Sequence, residues 1–429
     1  MSLVEKDAKH VWHPFTQALT SPKPLPIVSA KDSKLVAEDG KEYLDANSSW
    51  WTVLHGHAHP HINAAVKAQI DQLDHVVFAG TTHPKAVEAA ERITHLLGDG
   101  FDRVFFSDNG STANEVALKM VVQYWFNQGK PEKRKFVALE GAYHGDTFGA
   151  MSVGERDLFN KPFESLFFDV IYLPFPTADN EQEVLEMAEQ IFSDPNTAGF
   201  IFEPLCQGAS GMRMYSTEVL DALLKTARKN DLFSIADEVM TGFYRTGKAF
   251  AIHHLTEAVD IVCLSKGLTG GILPMGLTVT SDKLYDSFLH KEVAKGFLHG
   301  HSFTGNPIIC AAICASLDLL EKRETLDRIA AICEIQSQFL EKYSHHPNFR
   351  NVRQIGTILA VELEVSGMTS YFSSIRNDAY DHFIKNGILL RPLGNVMFIN
   401  PPYCFTKEQL LEVQESIVEF TENWFNQHQ

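Results

Sequence analysis

The sequence predicts an α/β fold: a large domain built on a mostly parallel sheet, joined by a smaller α+β domain assembled from both chain ends. Three observations predict it. Between Phe101 and Leu264, short runs of β-branched or aromatic residues alternate with longer segments of helical periodicity. Those runs hold several apolar residues without alternation, which strands covered on both faces require. Outside that stretch the pattern changes. Ile27 to Asp45 reads as a small antiparallel unit turning at Asp39-Gly40, and Arg353 to Glu364 with Gly387 to Pro401 reads as further strands between helices. The expected division is 1–55 and 315–429 in the small domain and 56–314 in the large one.

Taken in order, Val104-Phe105-Phe106 is a strand that precedes a helix near Ala113 to Trp125. Phe136 to Leu139 is the next strand, and Gly199 to Phe202 precedes a helix near Thr217 to Lys229. Phe233 to Ala236 and Ile261 to Leu264 continue the series. The longest apolar stretch, Pro307 to Leu320, is broken by Ser316 and Asp318 and is too short to span a bilayer of roughly 30 Å. It reads as a buried helix.

The 429 residues are 45% hydrophobic, 11% aromatic and 21% charged, which excludes extensive disorder and collagen-like repeats. A net charge of −17 repels polyanions, so nucleic acid and acidic lipid are poor partners and a small molecule is the better expectation. The six cysteines are scattered without a Cys-x-x-Cys pair, which points away from a disulfide framework or zinc knuckle and toward a reducing cytoplasm. Met1 to Trp12 lacks the apolar core of a signal peptide.

Chemistry gathers at the strand ends. One apolar run stops at Asp237-Glu238 and another at Lys266-Gly267, one crossover unit later. Taken singly, strand-end aspartates and lysines are usually solvated. As a pair they match the needs of pyridoxal phosphate: an amine that bonds covalently to the aldehyde, and a carboxylate that keeps a proton on the ring nitrogen. Ser107 to Ala113, with Gly110 and Ser111 inside it, lies between a strand and a helix, where backbone N–H groups stabilise an anion. A plain helix cap would look similar. Gly141 to Asp146 places Tyr143 where it can stack on a planar ring, although a simple turn would have the same composition.

Together, Gly110-Ser111, Tyr143-His144-Gly145, Glu203-Pro204, Asp237-Glu238, Thr241-Gly242-Phe243, Arg245-Thr246-Gly247, Lys266-Gly267 and Gly305-Asn306-Pro307 resemble the class III pyridoxal phosphate-dependent aminotransferases of fold type I. Within that class the sequence is most similar to the branch that aminates 8-amino-7-oxononanoate in biotin synthesis. The residues behind this are Trp12-His13-Pro14, Ser48-Ser49-Trp50-Trp51, Gln207-Gly208-Ala209, Gly211 to Tyr215, His299-Gly300, Arg391-Pro392 and Pro401-Pro402-Tyr403.

The resemblance implies a role for each matching residue. Lys266 carries the cofactor and moves the substrate proton, Asp237 holds the ring nitrogen, and Tyr143 lies on or beside the ring. Gly110 and Ser111 hold the phosphate, with His301 and Ser302 reaching over from the second subunit of a homodimer. Arg391 clamps the substrate carboxylate, Trp50 and Trp51 wall its aliphatic chain, and Gly300 and Phe15 complete the substrate site. Without the resemblance, the adjacent tryptophans read as one core and one rim residue. Asp146 and Arg245 are expected to form an ion pair behind the site. The implied amino donor is S-adenosylmethionine. The alternatives are another class III ω-aminotransferase, acting on a diamine or ω-amino acid with pyruvate or 2-oxoglutarate, and a non-catalytic pyridoxal phosphate-binding protein.

Phe15 stands where many family members have a tyrosine, so that hydroxyl's hydrogen bond to the substrate amino end is missing. His301-Ser302 replaces a common proline-threonine pair, and Met240 and Ala209 replace the glutamine and glutamate of many other class III members, which favours the biotin branch. Two patterns are decoys. Gly242 to Lys248 follows most of a phosphate-binding loop, but Ala249 cannot ligate magnesium. His55, His57, His59 and His61 alternate, but Gly56 and Pro60 interrupt the run, so it reads as a turn and a helix start rather than a metal site.

Overall fold

The computed structural model describes residues 1–156, 159–365 and 375–428, and at its centre lies a seven-stranded sheet. Its strand order is Arg103–Ser107, Gly276–Thr280, Ile261–Leu264, Phe233–Asp237, Thr197–Phe202, Lys135–Leu139 and Val170–Leu173. Neighbours from Ile261–Leu264 to Val170–Leu173 pair in parallel, with Asp237 opposite Cys263. Gly276–Thr280 runs antiparallel to both of its neighbours. Since it reverses the direction twice, Arg103–Ser107 points the same way as the other five strands.

The central strands are buried along their whole length, because helices cover both faces. The helix Gly110–Asn127 packs Ala113, Val116, Ala117, Val121 and Trp125 against one face. Helices Pro84–Leu97, Glu181–Phe192 and Thr217–Lys229 cover the other. The last is built as its periodicity predicts. Val219, Leu220, Leu223, Leu224 and Ala227 form the buried stripe, Ser216 caps the start by accepting from the Val219 N–H at 3.2 Å, and Arg228 and Lys229 face the negative end of the helix dipole. Each large apolar side chain buried in this way stabilises the fold by about 1.5–3 kcal/mol.

Two strands of the sheet, Val170–Leu173 and Gly276–Thr280, were not among the predicted ones. The second lies beside Ile261–Leu264 and returns antiparallel, and direction leaves no trace in hydropathy. The predicted antiparallel unit near the N-terminus is present as Ile27–Lys31, Lys34–Ala37 and Glu42–Asp45. Its sheet gains Ile388–Leu389 in parallel, with Leu389 opposite Asp45, so the two chain ends share one ladder. A separate sheet joins Phe349–Ile355, Ile358–Leu363 and Val396–Ile399.

The helix Pro307–Leu320 is buried as expected and packs on Pro60–Gln72 and Pro84–Leu97. The histidine run does not converge: His55 bonds Ser316 at 3.1 Å, His57 meets Asp45 at 2.8 Å and His61 meets Asp318 at 2.8 Å. Lys248, the last residue of the apparent phosphate loop, donates to the carbonyl of His253. Among the described residues no helix is long and apolar enough to cross a membrane, and no His, Cys, Asp and Glu cluster could hold a metal.

Candidate active site

Six strands point one way, and at the carboxyl edge of the sheet the residues that follow five of them line one cleft of about 1280 Å³, where ligands of open α/β sheets bind. Asp237 ends its strand inside this cleft and is held on three sides. Its Oδ1 accepts from the Val239 N–H at 3.1 Å, and its Oδ2 accepts from Asn114 Nδ2 and His144 Nδ1, each at 2.8 Å. A carboxylate only accepts, so the His144 proton sits on Nδ1. Asn114 also donates to the His144 carbonyl at 2.8 Å, which ties the two supports together.

Lys266 follows the next strand, in a short turn where its own φ is +42°. Its Nζ lies 4.6 Å from the centre of the Trp51 ring. Burial pushes its ammonium pKa down, while the charges of Asp237 and Glu203 oppose that shift. The amine is therefore more easily freed of its proton than an exposed lysine.

An anion site closes one end of the cleft. Asn109 caps the helix Gly110–Asn127 by accepting from the Thr112 N–H, and Thr112 Oγ1 accepts in return from the Asn109 N–H. The amides of Gly110 and Ser111 are left at the open positive end. Packing forces small residues here. A Cβ on Gly110 would meet Val239, one on Gly145 would strike Ser111, and one on Gly276 would strike the carbonyl of Asn109.

Tyr143 forms the lip. Its N–H donates to Glu203 Oε1 at 3.0 Å, and its hydroxyl donates to Asp146 Oδ2 at 3.0 Å. Burial, together with Asp146, pushes the Tyr143 pKa well up, so the hydroxyl stays protonated. Glu203 also accepts from the Gly208 N–H at 2.9 Å, and burial pushes its carboxyl up to about 7.

Trp50 and Trp51 both line the cleft, one 42% exposed and the other 4%. They sit on a backbone turn with positive φ at four consecutive residues, Ser48, Ser49, Trp50 and Trp51. Each non-glycine residue held left-handed costs about 1–2 kcal/mol. Arg391 stacks over Trp50 at 5.2 Å and donates its N–H to Asn47 Oδ1 at 2.6 Å. Phe15 lines the cleft and meets Trp50 edge-on, with ring centres 5.5 Å apart.

The cleft thus gathers Phe15, Trp50, Trp51, Tyr143, Asp237 and Lys266 around the Gly110-Ser111 loop. Gly300, His301, Ser302 and Arg391 do not line it, although Arg391 stacks over the lining residue Trp50. Gly300 and Ser302 are exposed, and His301 Nδ1 lies 3.0 Å from Asp108 Oδ1. The expected ion pair between Asp146 and Arg245 is corrected. Arg245 is buried elsewhere, donating to the carbonyl of Pro401 at 2.6 Å and to those of Trp51 and Val53, whereas Asp146 faces Tyr143. The guanidinium serves backbone carbonyls where the two chain ends meet the large sheet. Asn114, His144 and Glu203 received no role from the sequence. A signal existed for Glu203, a charged residue directly after the wholly apolar strand Thr197–Phe202.

The residues fit pyridoxal phosphate. An anion end, an amine freed by burial and an anchored carboxylate share one cleft, and the buried Asn114 Oδ1 beside them has no protein partner.

Comparison with known proteins decides the family, because the class III aminotransferase model matches residues 16–420. The chain belongs to the class III aminotransferases. It is 45% identical to an adenosylmethionine-8-amino-7-oxononanoate aminotransferase of Synechococcus elongatus, over 96% of this chain and 98% of that one. The crystal structure of the enzyme of that name from Methanocaldococcus jannaschii superposes with a TM-score of 0.91 at 32% identity, covering 98% of each chain. A PLP-bound amine transaminase from an uncultivated Pseudomonas species gives 0.88 at 27% identity, covering 96% of this chain and 98% of that one. The fold of this aminotransferase is therefore the pyridoxal phosphate-dependent transaminase fold, α/β with a mostly parallel sheet, as its sequence predicts.

Proposed function

We propose that this aminotransferase converts 8-amino-7-oxononanoate to 7,8-diaminononanoate in biotin biosynthesis, using pyridoxal phosphate and S-adenosylmethionine as amino donor. The observation that carries this reading is the full-length similarity to enzymes of that name, 45% identical to one and 39% to another.

When bound, pyridoxal phosphate takes up an amino group and withdraws electrons from the carbon that loses a proton. The chain's own residues do the rest. Lys266 holds the cofactor and, once released, carries the proton at the substrate carbon through Nζ, a task suited to an amine whose pKa is lowered by burial. Asp237 holds a proton on the ring nitrogen by a charge-assisted hydrogen bond. Gly110 and Ser111 bind the phosphate with backbone N–H groups. Tyr143, protonated and fixed to Asp146, would lie on or beside the ring with its hydroxyl toward the substrate. Arg391 takes the substrate carboxylate, while Phe15, Trp50 and Trp51 exclude water from its aliphatic chain.

His301 and Ser302 reach the phosphate of a second copy, which makes the working unit a homodimer, and Gly300 completes the substrate site; cysteines that stay unpaired fit a reducing cytoplasm. Residues 1–55 and 315–429 act as the small domain that brings Arg391 to the cleft, and 56–314 as the large one.

Complementation of a biotin-requiring strain blocked at this step tests the reading, together with single half-reactions followed by the cofactor's visible absorbance. Conversion of the cofactor by S-adenosylmethionine and its recovery with 8-amino-7-oxononanoate are expected. Response to common ω-amino acids alone, without complementation, would replace this reading by the broader ω-aminotransferase one.

A further inference from the structure

Adjacent residues on an extended strand point to opposite faces, so two neighbouring tryptophans would not both wall one cleft from a strand. Here a left-handed turn solves the problem. Ser49 has φ 45° and ψ 55°, and Trp50 has φ 71° and ψ 44°. The successive side chains are rotated so that Trp50 lies under Arg391 and Trp51 under Lys266. A turn of non-glycine residues in this conformation persists only where its surroundings over-determine it.

One side chain supplies much of that constraint. Asp45, fully buried, accepts the Ser49 N–H at Oδ1 (2.9 Å) and the Ser49 hydroxyl at Oδ2 (2.7 Å). His57 Nε2 lies 2.8 Å from the same Oδ2. His57 is anchored in turn by two backbone hydrogen bonds with Asp32. Asp45 is also paired with Leu389 in the shared ladder, two residues before Arg391. The same residue therefore fixes the tryptophan turn and the strand that delivers Arg391.

We propose that Asp45 is a positioning residue for the substrate cleft: its buried carboxylate, backed by His57, locks the left-handed Ser48–Trp51 turn and so sets how the aliphatic chain and carboxylate of the substrate are received. The inference rests on the assignment of Trp50, Trp51 and Arg391 to substrate binding. Asp45 touches neither substrate nor cofactor.

The test uses the holoenzyme and two independent readouts. In Asp45→Ala the KM for 8-amino-7-oxononanoate should rise about tenfold or more while kcat changes less, since the loss is in substrate binding. Asp45→Asn keeps one acceptor oxygen and can meet the other neutral tautomer of His57, so it should restore most of the affinity. Ser49 is exposed, so Ser49→Val remains foldable; it opposes positive φ with a β-branched side chain and should raise KM even with Asp45 intact. The second readout needs no substrate. The near-ultraviolet circular dichroism assigned to Trp50 and Trp51 by single Trp→Phe variants should be lost in Asp45→Ala and Ser49→Val and kept in Asp45→Asn. An unchanged tryptophan signal in Ser49→Val, or in a soluble Asp45→Ala, overturns the proposal whatever the substrate is. A lost signal, with no wild-type reaction on this oxo acid, upholds the locked turn and instead overturns the substrate assignment.

Discussion

The side-chain amide of Asn114 donates to Oδ2 of Asp237 at 2.8 Å, although the two residues lie on different elements and 123 positions apart. With His144 on the same oxygen, Asn114 fixes the carboxylate before any ligand arrives. Replacing it by Ala leaves His144 as the one side chain on that oxygen, with the Val239 N–H still on the other. Losing one hydrogen bond to a charged group costs about 1.5–3 kcal/mol, so Asn114→Ala should weaken pyridoxal phosphate binding by roughly 10- to 100-fold. Titration of the cofactor-free protein, followed by absorbance, checks it.

Two described lysines line the cleft, the exposed Lys161 and the half-buried Lys266 near Asp237, and Lys266 is the one assigned to bond the cofactor covalently. After borohydride reduction the wild-type chain should gain the mass of a phosphopyridoxyl group, and Lys266→Ala should gain none. A modified peptide in the variant that maps to another lysine would sink the assignment.

Arg391 is assigned to the substrate carboxylate. Arg391→Ala should raise KM for 8-amino-7-oxononanoate by roughly 100-fold, the loss of a charge-assisted pair, with the cofactor's visible spectrum unchanged. Arg391→Lys should recover only part of that, because an ammonium lacks the planar fork. Steady-state kinetics on the three proteins reads this directly.

Gly276 lets the strand Gly276–Thr280 pass against the Asn109 carbonyl. Gly276→Ala drives a methyl group against the backbone carbonyl of Asn109, so the loop at Gly110-Ser111 must shift. The expected result is a lower melting temperature and loss of phosphate-dependent cofactor retention, measured by calorimetry and by dialysis.

Glu238 gives a pH prediction. Burial pushes its carboxyl up to about 7 against the pull of hydrogen bonds from Thr241 and the Ile252 N–H. A carboxyl raised in the folded state binds its proton more tightly there than when unfolded, so its stabilising contribution is full at low pH and fades as pH rises through about 7. Wild-type melting temperature should therefore fall relative to Glu238→Gln between about pH 4.5 and about 7, by an amount equivalent to roughly 3 kcal/mol. Parallel melting curves across this range would falsify it.

The cleft residues differ in how legible they were. Lys266 and Asp237 stood out because each ends an apolar run, and strand ends are where an α/β sheet exposes chemistry. Gly110 and Ser111 stood out because a helix start follows them. Asn114, His144 and Asp45 did not, since a polar residue on a buried face looks the same whether it supports a catalytic group or only satisfies its own hydrogen bonds. The expected Asp146–Arg245 pair failed for a related reason. Opposite charges suggest a partner, but Arg245 was claimed by carbonyls that no sequence pattern brings near it.

The sequence by itself determined the strands that parallel packing buries, the capped helices, the amine and the carboxylate, and the family that its motifs resemble. These depend on local periodicity and residue chemistry. Only the tertiary structure decided that Gly276–Thr280 runs backwards, that Leu389 pairs with Asp45, and that a left-handed turn carries two adjacent tryptophans to one wall. Strand direction, register between distant segments and the sign of φ arise from contacts made after the chain has closed on itself, and no spacing along the chain encodes them.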